Sequence, residues 1–285
     1  MNSKKTNNLI SVENAQEIIF SKFKKLETIK KKLIDSSGFI LEKEIKALFD
    51  LPNKNNSAMD GFAVRHEDLE PNKSLKVVGR VGAEAITDYV LKKDEALRIM
   101  TGSGIPEGAD SVVPFEKTNN NPHKGNDFPD SVLINETVKK GDNIRLSGQD
   151  YKFGETVVKG GMLIDPPIVG AIASFGINEV SVIRKPLVSV ISTGNELVMP
   201  GDKLKEGQIY DSNSFAISSA IKNSGADFKM HRILSDNKED VDKLYEDCSQ
   251  SDLIVTIGGV SKGDFDLIRD AISSKGSIDS VSYTH

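Results

Sequence analysis

The sequence predicts a multidomain chain of α/β plus β class. It combines a β-rich inserted domain with a doubly wound parallel-sheet domain that is incomplete at the C-terminus. Three observations predict this. From Leu187 onward, apolar strand-like runs alternate with helical segments, the pattern of right-handed βαβ units. Between about residues 53 and 146 the apolar runs are short, alternating and divided by Gly, Pro, Asn and Asp, as in a small barrel. A chain of 285 residues exceeds one ordinary domain and can bury a sizeable core.

Taken in order, residues 11–34 read as a helix. Ser11 can cap it, and apolar residues recur at Ala15, Ile18, Ile19, Phe23, Leu26 and Ile29. Lys30-Lys31-Lys32 then reads as a solvated helix end rather than a binding patch. A second short helix is expected over 41–48. Strands follow at 75–81, 96–100, 111–115, 132–138 and 143–146, with the polar stretch 119–130 as a mobile loop. Pro166-Pro167 opens a helix that Gly176 ends. A strand over 180–183 leads to Lys185-Pro186, a boundary because the residue before proline is restricted. Beyond it, strands are expected at 187–192, 228–234 and 253–257, and helices at 215–224, 238–249 and 265–273. Asn213 or Ser214 can cap the first of these helices, and Gly225 stops it. Residues 278–285 read as the start of a further strand, which leaves the sheet unfinished. The expected division is 1–52 with 147–184 as a mixed α+β domain, 53–146 as the insert, and 185–285 as the α/β domain.

Composition excludes several classes. A net charge of −5 without a basic stripe leaves no footprint for nucleic acid. The single cysteine, Cys248, excludes an internal disulfide framework and a Cys-rich zinc site, and reads as a helix-packing residue. His66, His123, His231 and His285 show no ligand spacing, so a metal would be held by oxygen ligands, as magnesium is. No apolar run is long enough to cross a membrane, and the polar start Met1–Leu9 lacks the apolar core of a signal peptide. The expected location is cytoplasmic, although another reducing compartment would leave the same composition.

In open α/β sheets, ligands bind beyond the carboxyl ends of the strands. Here strand 187–192 runs into Thr193-Gly194-Asn195-Glu196, and strand 253–257 into Gly258-Gly259-Val260-Ser261-Lys262-Gly263-Asp264. Glycine admits a ligand close to the backbone, and amides at a following helix start favour an anion. Ser261 adds a hydroxyl and Lys262 a cation, so a phosphate-bearing ligand fits. A plain strand-to-helix turn capped by Asp264 fits equally well. Glu196, Asp264 and Asp266 would repel one another, and a phosphate, without a cation among them; magnesium resolves both problems. Glu196 also reads as a solvated loop carboxylate, and Asp236 as a helix cap. In the insert, Asp60 and Thr101 are polar residues in otherwise small loops, where Asp60-Gly61 reads as a tight turn. Asp150 lies within ion-pairing reach of Arg145.

Five elements occur in order: Ser57-Ala58-Met59-Asp60-Gly61-Phe62-Ala63; Arg98-Ile99-Met100-Thr101-Gly102 with Pro106-Glu107-Gly108-Ala109-Asp110; Gly141-Asp142-Asn143-Ile144-Arg145 with Gly148-Gln149-Asp150; Thr193-Gly194-Asn195-Glu196-Leu197; and Gly258-Gly259-Val260-Ser261-Lys262-Gly263-Asp264-Phe265-Asp266. Together they resemble the molybdopterin molybdenumtransferase family, which includes MoeA and the gephyrin E domain of animals. The resemblance runs from about residue 11 to 275. It implies binding of adenylylated molybdopterin and molybdate, cleavage of the phosphoanhydride with a divalent cation, release of AMP, and molybdenum insertion at the dithiolene. It implies acidic site residues Asp60, Asp150, Glu196, Asp236 and Asp266, with Thr101 as a polar site residue. It further implies a homodimer whose insert faces the partner's α/β domain, with residues 1–52 and 147–184 serving dimerisation, and contact with other proteins of molybdenum cofactor biosynthesis. This chain departs from the family at Asn195, Gln149 and Ser103-Gly104, where an acidic residue, Glu and Ala-Pro are usual. It also lacks the family's C-terminal proline-glycine loops and small β-domain, so it reads as C-terminally truncated. The expected activity is the transferase reaction, with little turnover by the truncated chain. The alternative is a non-catalytic molybdopterin-binding or scaffold module.

Overall fold

The computed structural model describes residues 11–82, 88–119, 129–233, 243–244 and 246–258. Its elements begin with α1 (Val12–Lys22), β1 (Thr28–Lys32), β2 (Ile40–Leu41), β3 (Ile45–Lys46), β4 (Asn56–Ser57) and β5 (Gly61–Val64). There follow β6 (Ser74–Val81), β7 (Glu95–Ile99), β8 (Ser111–Pro114), β9 (Ser131–Leu133), β10 (Ile144–Arg145) and β11 (Thr156–Val158). Then come α2 (Pro166–Ala173), β12 (Glu179–Ile183), β13 (Leu187–Thr193), β14 (Leu197–Val198), β15 (Ile209–Tyr210), α3 (Ser212–Asn223), β16 (Asp227–Ile233) and β17 (Leu253–Ile257). The chain forms two compact units, residues 1–43 with 161–169 and 178–285, and residues 44–160 with 170–177.

In the first unit, β1, β12 and β2 form an antiparallel sheet with β12 central. Its inner face buries Val180, Val182 and Leu41. The expected helix over 11–34 ends at Lys22. Ser11 does cap it, its hydroxyl accepting the Asn14 N–H at 3.1 Å. Residues 28–32 leave the helix because they pair with Glu179–Ile183, from Thr28↔Ile183 to Lys32↔Glu179. The three-residue spacing of Leu26 and Ile29 fits a helix, and pairing with a distant strand overrides it. The three lysines therefore lie on a strand. Lys30 pairs with Glu179 at 3.3 Å, and the Lys31 ammonium stands 4.9 Å from the Phe39 ring centroid. The expected helix over 41–48 is likewise replaced by β2 and β3, each held by non-local partners.

The same unit contains a parallel sheet in the order β16-β13-β17. Its central strand buries Val188, Val190 and Ile191, as a strand covered on both faces must. Helix α3 is capped by Asp211, whose Oδ1 accepts the Ser214 N–H at 3.1 Å, and not by Asn213 or Ser214. Asp is a strong cap and it follows β15 directly, so the helix starts three residues earlier than its apolar period shows.

In the second unit a five-stranded sheet has the order β8-β5-β7-β6-β9, with β6 and β7 parallel and the other pairs antiparallel. A Thr118↔Ile134 bridge beyond β8 and β9 draws its edges together, giving a curled, barrel-like insert. Phe62, Val64, Leu75, Val113 and Val132 fill one core cluster; Ala63, Leu97, Ile99 and Val112 fill another. Strand β5 thus buries both faces.

That crowding explains Gly61. It is not a turn residue of Asp60-Gly61 but the first residue of β5, paired with Ile99 on one side and Pro114 on the other. A Cβ there would lie 2.1 Å from the Val113 carbonyl oxygen and 2.9 Å from Pro114 Cα. Backbone atoms in a sheet cannot yield locally. Gly61→Ala is expected to lower stability by about 3 kcal/mol, the upper end of ordinary overpacking costs, measured by urea unfolding.

Candidate functional site

The antiparallel register Gly61↔Ile99 brings the residues just before β5 to those just after β7. Asp60 and Thr101, 41 positions apart in sequence, therefore meet. Asp60 Oδ1 accepts the Thr101 backbone N–H at 2.7 Å and its hydroxyl at 2.7 Å. These donors, the amide first and then the hydroxyl, hold the Asp60 carboxyl below the ordinary aspartate range, and the Arg98 charge adds to them. Strand β4 supports the pair: Ser57 O accepts the Gly102 N–H at 2.8 Å, and the Ser57 N–H donates to Ser103 O at 2.9 Å.

Strand β4 also pairs with β10, placing Asn56 opposite Arg145. The Arg145 guanidinium holds Asp150 in an ion pair, as the sequence spacing allowed. Both belong to a cleft of about 440 Å³, lined further by Phe49, Leu51, Pro52 and Asn56. Asp60, Thr101 and Asp150 are thus carried by loops that share one short strand. The contribution of Arg98 was not read from sequence. Its place three residues before Thr101, on a strand paired with β5, is the signal that would have shown it.

Because the folded value of Asp60 is depressed, its contribution to stability is present at neutral pH. It is lost as pH falls from the ordinary carboxylate range through the folded value. Thr101→Val removes the hydroxyl but keeps the amide. It is expected to move the Asp60 titration upward, part of the way to an ordinary aspartate, while Thr101→Ser leaves it in place. An NMR titration of the carboxyl carbon reads both.

In the first unit, β13 and β17 end side by side, with Ser192↔Ile257 as the last pair. Thr193 and Gly258 follow at the carboxyl edge of the sheet. Gly258 has φ +84°, and a Cβ there would stand 3.0 Å from Thr193 Oγ1, so both the conformation and the approach call for glycine. Glu196 is exposed, and its carboxylate folds back over Gly194, within 2.6 Å of where a Cβ would project. Its carbonyl accepts the Ile209 N–H at 2.9 Å, which anchors the loop to β15. No ion pair to Glu196 occurs among the described residues, which leaves it as an exposed oxygen donor. Asp236, Gly259, Ser261, Gly263, Asp264 and Asp266 lie outside the described residues.

No group of three His, Cys, Asp or Glu side chains among the described residues could hold a metal ion. Glu196 fits magnesium as one carboxylate ligand, since that ion keeps several waters and commonly takes one or two protein carboxylates with substrate phosphates.

A parallel sheet with a glycine-bearing carboxyl edge in one unit, and a curled β sheet carrying an aspartate–threonine pair in the other, define a protein of α/β-plus-β class. The chain belongs to the MoeA family: residues 10–176 match the MoeA N-terminal region (domain I and II), and residues 189–281 match the family described as probable molybdopterin binding domain. It is 36% identical over 271 residues to a molybdopterin molybdenumtransferase of Staphylococcus epidermidis, covering 93% of this chain and 63% of that protein. A Staphylococcus aureus protein of the same name is 34% identical over 267 residues, covering 92% and 62%. The chain therefore spans less than two thirds of the length of these curated relatives. Two solved structures share the fold. A molybdopterin biosynthesis MoeA protein from Pyrococcus horikoshii aligns with TM-score 0.70 and 32% identity, over 92% of this chain and 67% of that one. A second, from Pyrococcus horikoshii OT3, has TM-score 0.76 and 26% identity, over 88% and 67%. No helix among the described residues is long and apolar enough to cross a membrane.

Proposed function

We propose that this chain carries the acidic machinery and pterin-binding edge of a molybdopterin molybdenumtransferase. Its substrates are adenylylated molybdopterin and molybdate, AMP is released, and magnesium is the metal. The observation that carries the proposal is the pair of hydrogen bonds from Thr101 to Asp60, within the region matched to the MoeA family.

Thr193 and the backbone around Gly258 hold the phosphate end of the substrate at the carboxyl edge of the sheet. Gly259, Ser261 and Gly263 are assigned to phosphate binding with them, from the motif they share with Gly258. Glu196, with Asp264 and Asp266, would hold magnesium, which would offset the charge of the phosphoanhydride. A carboxylate with a depressed pKa is a weak base at neutral pH. Asp60 therefore acts as an ionised acceptor that orients a donor group, held in place by Thr101. Asp150 is kept in register by Arg145, and Asp236 completes the acidic set.

The working form is a homodimer in the cytoplasm, in which the insert (53–146) of one subunit faces the α/β domain (185–285) of the other. Residues 1–52 and 147–184 supply the dimer contact. Other proteins of molybdenum cofactor biosynthesis are its partners in transfer. The test is AMP formation from adenylylated molybdopterin by a protein of the full length of the curated relatives. Product is expected only with both molybdate and magnesium and is abolished by EDTA. AMP formation at full rate in EDTA would overturn the metal assignment; no AMP under any condition would overturn the reaction.

A further inference from the structure

The link between the antiparallel sheet and the parallel sheet of the first unit is short, and one side chain spans it. Arg184 follows β12 directly, and its backbone N–H donates to Glu27 O at 3.0 Å, on the side of the antiparallel sheet. Pro186 and Leu187 belong to the other side. Pro186 O accepts the Asp227 N–H at 2.9 Å, and Leu187 O accepts the Asp252 N–H at 2.9 Å. Between these two anchored ends stands Lys185.

The Arg184 guanidinium crosses that point. Nη1 and Nη2 donate to Asp252 Oδ2 and Oδ1, each at 2.7 Å, in a two-pronged fork. Nε donates to the Glu27 carboxylate before β1. Nη1 also donates to Lys185 O at 3.2 Å. Asp252 Oδ2 in turn accepts the Leu187 N–H at 2.8 Å, at the start of β13. One cation thus joins the segment entering β1, the link itself, and the entrances of β13 and β17. The opposite ends of those two strands carry Thr193, Gly194 and Gly258. A planar fork fixes direction as well as distance, which a lysine ammonium would not.

We propose that Arg184 is a positioning residue, a clasp that sets the orientation of the parallel sheet on the antiparallel sheet and so fixes where the strand-end loops are presented. The role of those loops rests on the function proposed above; the clasp itself is read without substrate. Failure of the AMP assay and failure of the clasp are therefore separate results.

The test is a distance distribution between nitroxide labels by pulsed electron resonance. Labels are placed on cysteines introduced at the exposed positions Lys32, on β1, and Asn223, at the end of α3, with Cys248→Ala removing the native thiol. With Arg184 present, one narrow distribution is expected. Arg184→Met and Asp252→Asn are each expected to widen it at least twofold, with Arg184→Lys between. Unchanged widths in folded Arg184→Met and Asp252→Asn would overturn the proposal. So would a lower melting temperature with unchanged widths, since that assigns the residue to stability alone. Glu27→Ala removes an exposed carboxylate whose side chain lies outside the buried core. It is expected to widen the distribution less than Arg184→Met does, and it decides the matter if the other variants fail to fold.

Discussion

Replacing Glu196 or Asp266 by alanine is expected to lower the rate of AMP release by roughly 10²–10³-fold, the scale seen when one preorganised electrostatic contact to a reacting group is lost. Glu196 is exposed at the carboxyl edge of the parallel sheet, its backbone anchored by Ile209 and its side chain without an ion-pair partner among the described residues. A carboxylate so placed contributes little to folding, so its loss should appear in rate and not in stability. The measurement, on a protein of the full length of the curated relatives, is AMP formation from adenylylated molybdopterin at saturating molybdate, repeated across magnesium concentrations, alongside a melting curve. A metal ligand predicts a steeper magnesium requirement in the variant. Rates unchanged in both variants would remove these residues from the site.

The second expected result concerns where the site is built. Asp60 and Thr101 lie on the insert, and Glu196 and the Thr193–Gly258 edge lie on the parallel sheet, in a different compact unit. If each site draws the insert from one subunit and the parallel sheet from the other, Asp60→Ala and Glu196→Ala subunits are each inactive alone. Mixed, they form heterodimers in which one site carries both lesions and the other carries neither. Random pairing makes about half the dimers mixed, so roughly a quarter of all sites should recover under two-fold symmetry. The readout is AMP release after unfolding and refolding the two variants together, each of the full length of the curated relatives, with differently tagged subunits to confirm mixing. Heterodimers without recovered activity would mean that each site is completed within one chain.

Several of these features are legible in the amino-acid sequence. The parallel strands β13 and β17 are carried by largely apolar runs, the edge strand β16 by Phe228 and Met230 set between polar residues, and β6, β7 and β8 by short runs between turn residues, because burial on one or both faces writes a periodic pattern into the chain. The loops that bear Thr193, Gly194 and Gly258 follow from the rule that ligands bind where such strands end. Other features are not legible there. Residues 24–34 and 41–48 carry helical spacing, but their partners lie more than a hundred residues away. β1 pairs with β12, and Ala47 N–H donates to Glu155 O. Local spacing cannot show which distant strand is available.

Asp60-Gly61 shows the division most plainly. The sequence by itself determined that an aspartate and a glycine sit together in a small loop, and that a threonine lies in a later small loop. Only the tertiary structure decided that Gly61 is glycine because the Val113 carbonyl lies where a side chain would stand, and that Thr101 donates twice to Asp60. The same holds for Arg184, which in sequence is one more charge before a Lys-Pro boundary and in the fold is a fork shared by Glu27 and Asp252. Composition and period depend on each residue's own solvent environment, so they survive in a one-dimensional string. Register, close approach and shared hydrogen bonds depend on pairs of residues far apart in the chain, and those pairs exist only once the sheets have formed.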